Sequence, residues 1–211
     1  MTSSPTMGVN SAGQRPPPPP VSFEAFLRWA DEDTLAEWVD GEIVPMSPSN
    51  LEHQYLLDFL NDLIKTFVRA RQLGMVIFAP FLMRLPTRPS GRQPDLLFVA
   101  ADHAERLRET YLDGPADLVV EIISPESEAR DRGEKFVEYE AAGIPEYWLI
   151  DPLRRDALFF QIGPDGRYRR AALDPDGFYR SEVLSGFRLR VAWLWERPLP
   201  PVAELVGQLE A

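Results

Sequence analysis

Glu121 stands inside DLVVEII, residues 117–123, an apolar run that reads as a buried strand with Val119 and Ile123 on the glutamate's own face. A carboxylate buried there alone is costly, so it requires a cation, a hydrogen-bond network or a proton. A plain ion pair with an arginine would meet that need, and so would a functional role. Upstream, Asp95 follows Pro94 and opens the strand-like run DLLFVA, at a strand end beside a loop. By itself it is a turn aspartate; its chemical interest lies in forming a pair with Glu121.

Beyond Ser124-Pro125, residues Asp131, Lys135 and Tyr139 recur at four-residue steps and share one face of a helix that stops at Gly143. An exposed Asp–Lys pair of this spacing contributes only about 0.3 to 0.5 kcal/mol. Yet Lys65 and Lys135 are the only lysines, all other positive side chains being arginine. A lysine in such a chain stands out, because a compact ammonium suits a water-activating or phosphate-neutralising task. Around an earlier hairpin lie Glu37, Asp40 and Glu42, and His53 follows at the start of a long helix. Their plain reading is exposed strand carboxylates and a polar first-turn histidine; His103, in ADHAER, reads as surface.

Several chemistries are excluded. With no cysteine there is no disulfide framework, thiolate metal site or thiol nucleophile. No Gly-x-Ser-x-Gly elbow, His-Glu-x-x-His helix, EF-hand spacing, glycine-rich phosphate loop or internal repeat occurs, and two histidines cannot form a three-histidine site. The net charge of −11 argues against a broad basic surface for nucleic acid. An arginine loop, Arg84, Arg88 and Arg92, or a dimer cleft would have to offset it locally.

The elements that must position these residues follow from periodicity. Phe23, Phe26, Leu27 and Ala30 after the cap Ser22 predict a short helix over 22–32. LAEWV and EIVPM flank Asp40-Gly41 and predict a type I′ hairpin over 35–46. Leu56, Leu57, Leu60, Leu63, Ile64, Phe67 and Val68 predict a long helix over 51–73, with Gly74 as its left-handed stop. MVIFA, FLMRL, DLLFVA, DLVVEII and EYWLID then read as strands, PTRPSGRQP as a loop, and two helical stretches separate the later strands. ALFFQIG, YRRAAL, FYRSEVL and FRLRVAWL read as hairpin strands that close the sheet. The order predicts an α/β fold, a mixed sheet flanked by helices.

The 211 residues suit one domain, 21–211, behind a Pro-rich tail, 1–20, whose Pro16–Pro20 run favours an extended polyproline II form and which reads as a disordered extension without assigned function. No export signal or membrane span is visible, and a reducing cytoplasm fits the lack of cysteine.

Taken together, QPDLLFV, LVVEIISPESEARDRGEKFVEYEAAGIPEYWLIDP and LAEWVDGEIVPMSPSNLEH resemble the Uma-two family within the PD-(D/E)XK restriction-endonuclease-like superfamily, over residues 23–195. The resemblance implies a restriction-endonuclease-like mixed β-sheet flanked by helices. It also implies an endonuclease hydrolysing DNA phosphodiester bonds, with Asp95 and Glu121 as ligands for Mg²⁺ or, as a substitute, Mn²⁺. The signature lysine is absent: Ile123 stands two residues after Glu121. Lys135 matches the place of a relocated lysine that would orient the attacking water. Glu37 matches an additional acidic residue of the cleft, and His53, Asp131, Tyr139 and Arg92 are candidates for supporting or substrate-binding roles. The alternative is a nuclease fold that binds or regulates without catalysis. Cutting two strands with one site per chain leaves room for a homodimer.

Overall fold

The computed structural model describes residues 10, 12–31 and 34–209. Of the Pro-rich tail, 1–9 and 11 lie outside the described residues, as do 32 and 33 of the acidic run. Asn10 donates from its side chain to the Trp29 carbonyl at 2.8 Å and the Trp29 indole donates to the Gln14 carbonyl at 3.2 Å, so this part of the tail lies against the first helix.

The chain runs α1 (Phe23–Trp29), β1 (Ala36–Val39), β2 (Glu42–Pro45), α2 (Leu51–Arg71), β3 (Gly74–Phe78), β4 (Leu82–Leu85), β5 (Ser90–Arg92) and β6 (Leu96–Ala100). A 3₁₀ turn, Ala101–Arg106, leads to β7 (Tyr111–Asp113) and β8 (Leu118–Ile122). A π-helical turn, Arg130–Glu134, runs straight into α3 (Lys135–Ala141). Then come β9 (Glu146–Asp151), β10 (Asp156–Ile162), β11 (Tyr168–Arg170), β12 (Phe178–Arg180), β13 (Arg188–Arg190) and a short α4 (Val202–Leu205).

The central sheet has the order β11-β10-β9-β8-β6-β3. β8 and β9 are parallel, and the connection between them carries the π turn and α3, as a parallel pair demands. All other neighbours in this sheet are antiparallel, so it is mixed, as the sequence predicts. Its central strands β6, β8 and β9 are buried on both faces. Leu118, Val120 and Ile122 share a core with Leu56, Leu60, Leu63, Ile64 and Phe67 of α2. Val119 and Ile123 face the other way, into a core with Tyr139 of α3, Tyr147, Leu149 and Met83 of β4. On that second side lies another sheet, β2-β1-β5-β4-β7, closed over by Phe23 and Phe26 of α1.

The hairpin, the long helix and the central strands agree with the periodicity, and four readings are corrected. The first helix is shorter than 22–32, spanning Phe23–Trp29 under an N-cap bond from the Ala25 amide to Ser22 Oγ. The loop 86–94 contains β5, which pairs with both β1 and β4; its Ser-Gly-Arg has no strand pattern, and Gly91 is held where a Cβ would sit 2.8 Å from the Phe23 ring. The left-handed cap of α2 is Gln72, at φ 55°. Gly74 serves a different need, since its Cβ would fall 2.1 Å from the Val99 carbonyl oxygen, and a side chain there would push β3 off β6. Finally, β12 and β13 do not close the central sheet but form their own two-stranded sheet, packed on it through Tyr179 stacked on Phe159 at 3.9 Å. Among the described residues, no helix is long and apolar enough to cross a membrane.

Candidate active site

β6 and β8 pair with Leu96 opposite Val120. One step further along the same antiparallel register, Asp95 stands opposite Glu121, so the two carboxylates come from adjacent strands. Asp95 Oδ2 accepts from the Ile122 amide at 2.6 Å, which fixes it at the end of the pairing. Its Oδ1 lies 3.1 Å from Nε2 of His53. That histidine is placed by the start of α2, where Asn50 Oδ1 caps the helix by accepting from the His53 amide at 2.9 Å.

Glu121 is buried. Its Oε1 accepts from Lys135 Nζ at 2.9 Å and from Tyr139 OH at 2.7 Å, so its partner is the lysine of α3 rather than an arginine. Lys135 Nζ is also 3.3 Å from Asp131 Oδ1 and 3.4 Å from Glu37 Oε1. The Asp131–Lys135 pair is therefore internal, not the exposed helical pair of its plain reading. The π turn that contains Asp131 is tied down by Tyr147, whose hydroxyl donates to the Asp131 carbonyl at 3.0 Å.

Glu37 arrives from β1, where it is buried between Ala36 and Trp38. Its Oε1 accepts from the Gln93 amide at 3.0 Å and its Oε2 from Arg92 Nη1 at 2.9 Å. Arg92 in turn grips Glu138 with two bonds, Nε to Oε2 at 2.7 Å and Nη2 to Oε1 at 2.6 Å. With 0% exposure, Arg92 is enclosed by Glu37 and Glu138 and supports Glu37 from behind the cleft. Arg84 pairs with Glu24 and Asp113 and Arg92 is buried, which leaves Arg88 as the exposed arginine of the envisaged loop. Asp40 and Glu42 remain exposed around the hairpin turn, and His103 is a partly exposed partner of Asp117 at 2.7 Å, all three away from the cleft.

Electrostatics divides the cluster. Burial pushes the Lys135 ammonium down, but Glu121, Glu37 and Asp131 around it outweigh this and hold its pKa well above the ordinary lysine value. Burial, opposed by Lys135 but reinforced by Asp131 and Asp95, pushes the Glu121 carboxyl well above the ordinary glutamate value. Asp131 is raised as well, chiefly by burial. Glu37 is the exception: burial would raise it, yet Lys135, Arg92 and the Gln93 amide together hold it below its ordinary value. Burial therefore dominates at Glu121 and Asp131, while at Glu37 the two cations and the Gln93 amide outweigh it.

Glu138, Gln93 and Ser90, whose hydroxyl donates to Glu138 Oε2 at 3.2 Å, join the site without having been singled out in the sequence. Glu138 lies three residues beyond Lys135 on one helical face, a spacing that could have found it. Gln93 and Ser90 carry no such signal.

Asp95, Glu121, Lys135, Asp131 and His53 line one small cleft of about 50 Å³, walled by the loop 46–49 and by the segment 124–130. Its donors are mainly hard carboxylate oxygens, from Asp95, Glu121 and Asp131. Among the described residues no three or more His, Cys, Asp or Glu side chains converge to cage an ion. Mg²⁺ does not require such a cage, since it keeps several waters and binds through one or two carboxylates. The pair Asp95 and Glu121 fits it.

Residues 23–192 match the family model Uma2, described as "Putative restriction endonuclease". The solved structure of a "putative nuclease belonging to DUF820 from Anabaena variabilis ATCC 29413" is similar in fold, with a TM-score of 0.71 at 15% identity, covering 83% of this chain and 98% of that one. No curated protein matches the sequence. With the family model spanning nearly all of the domain that builds the cleft, the chain belongs to the Uma2 restriction-endonuclease-like family.

Proposed function

We propose that the protein is a metal-dependent endonuclease that hydrolyses DNA phosphodiester bonds at the cleft of Asp95 and Glu121. The observation that carries this reading is Lys135 Nζ at 2.9 Å from Glu121 Oε1, in the cleft that Asp95 shares. A nuclease site needs acidic ligands and one nearby cation, and α3 supplies the cation that the strand lacks at Ile123. Ile123 itself is buried in the core, with 1% exposure, and has no access to the cleft.

Asp95 and Glu121 would hold Mg²⁺ or Mn²⁺, which when bound supplies charge stabilisation at phosphoryl oxygens and a more acidic water. The rest is the work of the chain. Lys135, kept protonated by its carboxylate neighbours, serves as a donor that orients the attacking water and offsets negative charge developing on the phosphate. Tyr139 fixes the Glu121 carboxylate, His53 fixes Asp95 Oδ1, and Glu37, anchored by Arg92, fixes the far side of the ammonium. A scissile bond on each strand calls for two copies of this site, which a homodimer would provide.

Supercoiled-plasmid nicking tests the reading, with wild type, Glu121→Gln and Lys135→Met compared in Mg²⁺, Mn²⁺ and EDTA. Metal-dependent nicking by wild type that is lost in both variants is expected. Intact plasmid with folded, metal-supplied wild type would transfer the weight to a nuclease fold that binds without cutting.

A further inference from the structure

Arg130 and Lys135 are the cations that line the cleft among the described residues. Lys135 is committed, with 3% exposure and three carboxylates within 3.4 Å. Arg130 is not. Its Nε is buried without a hydrogen-bond partner, and no carboxylate of the described residues pairs with its guanidinium. Two residues on, Arg132 shows the contrast, bonding Asp151 at 2.6 Å and Glu128 at 3.3 Å. A guanidinium donor withdrawn from water is costly to leave unmade, so a group brought to it from outside gains by accepting from it.

The position suits one kind of acceptor. Arg130 opens the π turn whose next residue, Asp131, reaches Lys135, so the wall carrying the free guanidinium also carries part of the acidic cluster. π turns inside helices are frequent at functional sites. An anion approaching Asp95 and Glu121 meets repulsion unless a cation on the wall compensates, and the planar fork of an arginine matches two oxygens of a phosphate.

We infer that Arg130 is the substrate-binding residue of the cleft, its guanidinium donating to the non-bridging oxygens of the phosphodiester seated against Asp95 and Glu121. This rests on the nuclease reading above and adds to it the group that grips the substrate. It also answers the net charge of −11, since one uncommitted arginine inside the cleft acts where a basic surface is lacking.

The test uses a short fluorescein-labelled DNA duplex and four proteins: wild type, Arg130→Gln, Arg130→Ala, and Arg69→Gln as a control that removes the same charge from an exposed position on α2. Binding is followed by anisotropy in EDTA across a salt series, and cleavage is followed in Mg²⁺ and Mn²⁺. Both Arg130 variants should melt like wild type, lower kcat/KM by about ten-fold or more through KM, and flatten the plot of log affinity against log salt by about 0.9, the signature of one lost phosphate contact. Arg69→Gln should leave KM and slope unchanged. If wild type cleaves while the Arg130 variants keep its KM and salt slope, the assignment of Arg130 is wrong and the nuclease reading stands. If wild type neither binds nor cleaves the duplex, the nuclease reading fails and takes this inference with it.

Discussion

Lys135 Nζ and Glu121 Oε1 lie 2.9 Å apart, both buried, although Glu121 is on a central strand and Lys135 is on the helix that follows it. The short crossover between parallel strands β8 and β9 folds the helix back over the sheet and delivers the ammonium to the carboxylate from above.

Replacing Lys135 by methionine should therefore do two things. It leaves Glu121, Glu37 and Asp131 without their shared cation, and breaking a buried pair of this kind costs about 3 to 5 kcal/mol. Urea denaturation in EDTA would read that loss, and plasmid nicking should drop by about 10² or more. A variant with wild-type stability and nicking would remove Lys135 from the site.

Tyr139→Phe isolates a single bond. Removing the hydroxyl takes one charge-assisted hydrogen bond from Glu121 while the ring, packed edge-on against Tyr147 at 5.3 Å, stays in place. Stability should fall by about 1.5 to 3 kcal/mol. Nicking should fall further than stability alone accounts for, which a rate measured under conditions where the variant remains folded would establish.

Arg92→Met tests the support of Glu37. Glu138 would be left buried without a cation and Glu37 would keep only Lys135, so a loss of about 3 to 5 kcal/mol is expected. Arg92→Lys should rescue little of it, because an ammonium cannot reproduce the two-bond grip on Glu138. Equal melting temperatures for wild type and Arg92→Lys would contradict this geometry.

Acid should probe Glu37 directly. Its carboxyl is held below the ordinary glutamate value of 4.5, so the stability it contributes is fully present above that pH. The contribution is lost as pH falls through the lower, folded value. The acid limb of stability against pH should thus be less steep below 4.5 in Glu37→Gln than in wild type, and parallel limbs would show that Glu37 is not held in this way.

Gly74→Ala examines the scaffold alone. With φ at 152° and the Val99 carbonyl 2.1 Å from the position of a Cβ, the substitution should cost more than about 2 kcal/mol by thermal melting. A near-neutral effect would mean that β3 can shift away from β6 at little expense.

The sequence by itself determined the hairpin at Asp40-Gly41, the long helix from Leu51 and the central strands, because period and turn chemistry are local properties of the chain. It also marked Glu121 as a carboxylate that had to find a partner. Three things were decided by tertiary structure. β5 exists because β1 and β4 hold it from either side, and no local pattern in Ser-Gly-Arg announces that. Arg92, open to a substrate-binding role when read along the chain, is enclosed by Glu37 and Glu138, which lie 55 residues before it and 46 after it. The identity of Glu121's cation was likewise beyond local reading, since it depends on how the crossover packs α3 on the sheet. Burial and ion pairing are relations among distant residues, and only the folded chain brings those residues within hydrogen-bond distance.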